Sequence, residues 1–96
     1  MIVVFLLLNR CDWTHFNVTM HQMLSTTIVG LPLLGSDIPG FYRDPCDDQI
    51  VVRWYQLGSM MPFFRAHAHR LTSRREPWTF KPDIFEKIKN TIILRY

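Results

Sequence analysis

Two spacings of apolar positions alternate along this chain. Residues 2–8, Ile-Val-Val-Phe-Leu-Leu-Leu, are continuously apolar, which predicts a strand buried on both faces. The run is too short for a bilayer, which needs about 20 residues. It also lacks the basic start and small-residue cleavage site of a secretory leader. Asp12 or Thr14 is placed to cap a helix over 15–26, with Phe16, Met20, Met23 and Leu24 on one face. Residues 28–34, Ile-Val-Gly-Leu-Pro-Leu-Leu, predict a second buried strand, although Pro32 removes a ladder donor. Gly35-Ser36-Asp37-Ile38-Pro39-Gly40 is dense in turn formers and reads as a loop.

Asp44-Pro45-Cys46-Asp47-Asp48 has the acidic start of a helix over 47–60 that buries Ile50, Val51, Trp54, Leu57 and Met61. Residues 62–64 begin a third strand, and 70–82 form a polar connection. A last helix starts near Pro82-Asp83, with Ile84, Ile88 and Ile92 spaced by four. The order β-α-β-α-β-α predicts an α/β fold with a parallel sheet and helical crossovers. A closed (β/α)₈ barrel typically needs about 250 residues. At 96 residues, this chain supplies part of such a domain.

Composition supports a packed interior: 48% hydrophobic and 20% charged residues argue against disorder. The net charge of +3 is uneven, with eight Lys/Arg against three Asp/Glu from Arg65 onward. These basic residues are scattered over a turn and a helix and make no stripe, so they read as a solvated face and no nucleic-acid partner is expected. Two cysteines, Cys11 and Cys46, make neither a disulfide framework nor a zinc set. Two free thiols are expected. Asn17-Val18-Thr19 is a glycosylation sequon inside a predicted helix and is read as a chance match.

Three residues carry the candidate chemistry. Asp37 directly follows a predicted buried strand, where barrel enzymes keep their sites. There it can accept hydrogen bonds from sugar hydroxyls or cap its own turn. Arg65 and His67, two apart on an extended segment, face the same side. His67 and His69, with His15 and His21, are also possible metal ligands, but no local third ligand accompanies the pair, and no metal is expected. Trp54 and Trp78 are better suited to packing than to stacking on sugar rings.

The stretches Val29-Gly30-Leu31-Pro32-Leu33-Leu34-Gly35-Ser36-Asp37-Ile38-Pro39-Gly40-Phe41, Arg53-Trp54-Tyr55-Gln56, Pro62-Phe63-Phe64-Arg65-Ala66-His67-Ala68-His69 and Arg74-Arg75-Glu76-Pro77-Trp78 resemble blocks of glycoside hydrolase family 31, the α-glucosidases. The last of these favours the glucosidase II branch. The resemblance implies a fragment of a TIM (β/α)₈ barrel, about its last three βα units. It implies retaining hydrolysis of terminal α-linked glucose, in α-glucosides or N-glycans, with no metal or cofactor. Asp37, Arg65 and His67 would bind substrate. A regulatory β subunit and residence in the endoplasmic reticulum lumen follow by family analogy alone. The resemblance covers 13–96 as a partial catalytic barrel, with 1–12 a divergent segment.

The family's catalytic carboxylates are the departure. Its nucleophile lies in a W-x-D-M-N-E type motif, which these residues lack. Its acid/base lies in G-D-N-T-A-x-W. Aligning Trp13 with that tryptophan puts Asn9 on the asparagine and Leu8 on the acid/base position. Leucine transfers no proton, so no catalytic residue is assigned. A truncated or misassembled reading frame is the expectation from this pattern.

Overall fold

The computed structural model of the chain describes residues 4–5 and 9–96. Strand β1 is Val4–Phe5, helix α1 Trp13–Ile28, strand β2 Leu34–Gly35 and strand β3 Asp37–Pro39. Helix α2 is Asp48–Gly58, strand β4 Arg65–His67 and helix α3 Pro82–Arg95, with a 3₁₀ turn at Pro77–Thr79. The predicted apolar run over 2–8 falls largely outside the described residues, but its Val4–Phe5 core is a strand.

Each helix starts on a residue suited to the task. Asp12 accepts from the His15 amide at 2.8 Å and Asp47 from the Ile50 amide at 3.4 Å. Both satisfy donors that the helix itself leaves open. Pro82 opens α3, where its missing N–H costs nothing. The α1 face that meets the core is Phe16, Thr19 and Met23. Leu24, expected on that face, is instead exposed, because the stripe drifts with the 3.6-residue period.

The strands pair in parallel, β1 with β2 and β3 with β4. Only Ser36 separates β2 from β3, so residues 34–39 form one extended path with a neighbour on either side. This corrects two expectations. Residues 28–33 end α1 and connect it to the sheet, and the strand lies over what reads as a loop. Small residues stand there because neighbours press close: a Cβ on Gly35 would sit 2.5 Å from the Phe63 carbonyl oxygen. At Gly40, φ is +126° and a Cβ would sit 2.5 Å from the Cys11 amide nitrogen. The third strand also starts later than expected, at Arg65.

The core lies between the sheet and α2. Ile38, Ile50, Val51, Trp54, Met61 and Ile88 are fully enclosed. Trp54 meets Phe16 edge-on at 5.3 Å, whereas Trp78 lies on the surface. Helix α3 docks on α2 through Ile84 and Ile88. Burying an isoleucine stabilises by roughly 1.5–3 kcal/mol. The exposed pair Lys81–Asp48 contributes little. The isoleucines therefore decide the docking.

The free-thiol expectation is also corrected: Cys11 and Cys46 form a disulfide. Each stands just before the cap of its helix, and α1 packs on α2 with these starts adjacent. Their Cα atoms are 5.7 Å apart, within bridging range.

Replacing Ile88 with alanine should cost about 2–5 kcal/mol in denaturant unfolding, whereas Ile93→Ala, on the exposed side of α3, should stay within about 0.5 kcal/mol.

Candidate functional site

The β3–β4 register brings the sequence-predicted residues together. Asp37 stands opposite Arg65, and Pro39 opposite His67. Alternation along a strand then puts Asp37, Arg65 and His67 on one face, with Ile38 turned into the core. The Arg65 guanidinium donates to Asp37 Oδ1 at 2.9 Å. The Asp37 side chain is 7% exposed and that of Arg65 40%. An unpaired carboxylate so buried would cost several kcal/mol. A charge-assisted bond at this distance offsets that cost and fixes the carboxylate's direction. Asp37 is thus a strand residue, and it makes an ion pair instead of capping a turn.

Asn9 backs the site from below. Its amide nitrogen donates to Ser36 Oγ and to the Asp37 carbonyl, both at 2.9 Å. Its main-chain carbonyl accepts from the Phe41 and Tyr42 amides at 2.7 and 3.0 Å. Cys11 N–H donates to the Tyr42 carbonyl at 3.0 Å, and Asp12 pairs with Arg10 and Arg43. Residues 9–12 are therefore a strap laid along β3 and the loop after it. Leu8 lies outside the described residues.

His67 is exposed, and its ring lies 5.4 Å from Phe41 at 35°. His69 stands over Phe41 and Tyr42 at 5.5 and 5.4 Å. Both imidazoles are thus placed by aromatic neighbours. Among the described residues, no group of three or more His, Cys, Asp or Glu side chains is placed to hold a metal ion. A cleft of about 390 Å³ is lined by Ile38, Ala66, His67, His69, Arg74 and Glu76. Neither Asp37 nor Arg65 lines it, so it is a separate feature from the ion pair.

Several basic residues noted in the sequence are neutralised locally. Arg65 pairs with Asp37, Arg74 with Glu76, and Arg75 with Asp44. Arg95 donates to the carbonyls of Ser59 and Met61 at 2.7 Å each. Among the described residues, no helix is long and apolar enough to cross a membrane.

Sequence reasoning missed the supporting groups. Asn9 carried a signal, being the polar residue that closes an apolar run. Arg75 carried none, since it is buried beside Arg74, which is largely exposed.

Residues 3–96 match the glycosyl hydrolases family 31 TIM-barrel domain. Over 88 residues the chain is 41% identical to neutral alpha-glucosidase AB of Mus musculus. It is 42% identical to glucosidase 2 subunit alpha of Saccharomyces cerevisiae over the same length. Each match covers 92% of this chain and 9% of the relative, so the chain spans about a tenth of their length. The catalytic subunit in the crystal structure of the ER glucosidase II heterodimeric complex, solved with the binding domain of the regulatory subunit, superposes with a TM-score of 0.92 at 37% identity. That match covers 98% of this chain and 10% of the other.

Carboxylates held below their usual range, Asp44 and Asp12 among them, make the fold acid-sensitive. Asp44 is held below the usual range by the Ser73 hydroxyl and amide and by the Arg75 charge. Burial raises the Asp12 carboxyl, but the His15 amide, Arg10 and Arg43 outweigh it and hold it low. A lowered folded-state value gives stability that is present above the unfolded value, near 3.9, and is lost as pH falls through the folded one. Melting temperature should therefore drop below about pH 4, and Asp44→Asn should make that drop shallower.

Proposed function

The chain belongs to glycosyl hydrolase family 31, as part of its TIM-barrel domain, and from that premise we propose that Asp37, Arg65 and His67 bind the terminal glucose of an α-glucosidase substrate. The observation that carries this is the Asp37–Arg65 pair with His67 on the same face of adjoining parallel strands. Asp37 accepts from sugar hydroxyls while Arg65 holds it by one oxygen. The Arg65 guanidinium is itself partly exposed, so the pair lies within reach of a ligand. His67, at the open end, donates or accepts at a neighbouring hydroxyl. Such bonds assist hydrolysis where they strengthen as the ring moves toward an oxocarbenium-like state.

The parent reaction on this reading is retaining hydrolysis of α-linked glucose, in α-glucosides or on N-glycans. Residues 13–96 are the partial catalytic barrel, and 1–12 its divergent edge. Residence in the endoplasmic reticulum lumen and pairing with a regulatory subunit rest on analogy with the glucosidase II complex. The Cys11–Cys46 disulfide supports an oxidising compartment.

Retaining hydrolysis takes two carboxylates, one as nucleophile and one as acid/base. Leucine at position 8 and the missing nucleophile motif leave these residues with neither. That favours a second reading for the chain alone, a carbohydrate-binding fragment without turnover.

Calorimetric titration with deoxynojirimycin separates these readings from a chain with no sugar site. Saturable binding is expected, weakened roughly 10–150-fold by Asp37→Asn through loss of a charged acceptor, and weakened also by His67→Ala without loss of melting temperature. No release of nitrophenol from an aryl α-glucoside is expected; turnover by the pure chain would overturn the binding-only reading. Absence of any binding would overturn the sugar-site assignment.

A further inference from the structure

We propose that Arg75 is a positioning residue for His67, acting through the loop that follows β3; this rests on the sugar-site reading above. Arg75 lies in the connection after β4, and its side chain is 5% exposed. It donates to the Gly40 carbonyl at 3.1 Å, the Arg43 carbonyl at 2.6 Å and Asp44 Oδ1 at 2.8 Å. One buried cation thus holds three acceptors spread along residues 40–44. Asp44 is in turn fixed by the Ser73 amide at 2.7 Å, from the same connection.

The loop needs such a hold. Arg43 has φ of +83°, a region uncommon outside glycine. Its carbonyl is the acceptor of the shortest of the three bonds. The loop carries Phe41, whose ring faces His67, and the Phe41 carbonyl accepts from the His69 amide at 2.9 Å. Moving residues 40–44 therefore moves the surface against which His67 sits. The strap at 9–12 grips the loop from its other side through Asn9, Cys11 and Asp12. Beside the Ser73–Asp44 and His69–Phe41 bonds, Arg75 joins it to the connection after β4 by a buried planar fork that lysine cannot reproduce. Arg74 supplies the internal control: it is 84% exposed and pairs with Glu76.

The test compares Arg75→Lys, Arg74→Lys and Phe41→Leu in the whole chain. The readouts are His67 ring resonances by NMR, deoxynojirimycin affinity and melting temperature. Arg75→Lys is expected to shift the His67 resonances and to weaken binding about tenfold, the order of one lost oriented hydrogen bond. Arg74→Lys should do neither. Phe41→Leu, which leaves Arg75 in place, should reproduce the loss, and it decides the matter if Arg75→Lys fails to fold. Wild-type affinity in Phe41→Leu, or unchanged His67 resonances in folded Arg75→Lys, would overturn the proposal. If the unaltered chain binds no deoxynojirimycin, the sugar-site reading fails by itself, and the His67 resonances still test the clamp.

Discussion

Everything in this structure hangs on how tightly residues 34–40 are gripped. The strap at 9–12 lies against one end of that path and Phe63 against the other. At Gly35 and Gly40 the approach leaves no room for a side chain. A third contact comes from α2, where a Cβ on Gly58 would sit 2.9 Å from Ile38. Close-packed interiors transmit such constraints because they hold little free volume. The main chain that carries Asp37 is therefore held on three sides, and Arg65 then fixes the direction of its carboxylate.

Legibility in the sequence followed from which forces fix each element. Helices α2 and α3 were readable because Ile50, Trp54, Ile84 and Ile88 repeat at helical spacing and Asp47 and Pro82 mark their starts. The central strand was not, because Gly35, Ser36 and Gly40 are turn formers by composition. Their smallness here answers to neighbours distant in sequence, and no local pattern records that. The candidate residues Asp37, Arg65 and His67 were singled out through the resemblance of whole blocks. Their shared face then follows from a register that pairs positions 28 residues apart. Arg75 and the disulfide were invisible, since each depends on tertiary proximity.

On the proposed reading, the ion pair and the Arg75 contacts divide the work of the site. Asp37–Arg65 is shielded by burial of one partner, so it keeps its geometry in salt. Arg75 holds a loop through two carbonyls and the Asp44 carboxylate, which balances its charge. A rigid charged pair beside an independently held aromatic–imidazole edge suits a ligand ringed by hydroxyls.

The disulfide has a topological side. It closes Cys11 to Cys46 into a covalent ring that contains α1, β2 and β3, and with them Asp37. Arg65 and His67 lie outside the ring, on the linear remainder. One peptide-bond cut inside the ring leaves every part of the site joined by covalent bonds. One cut between Cys46 and Arg65 parts the acid from its base, with only packing to keep them in register.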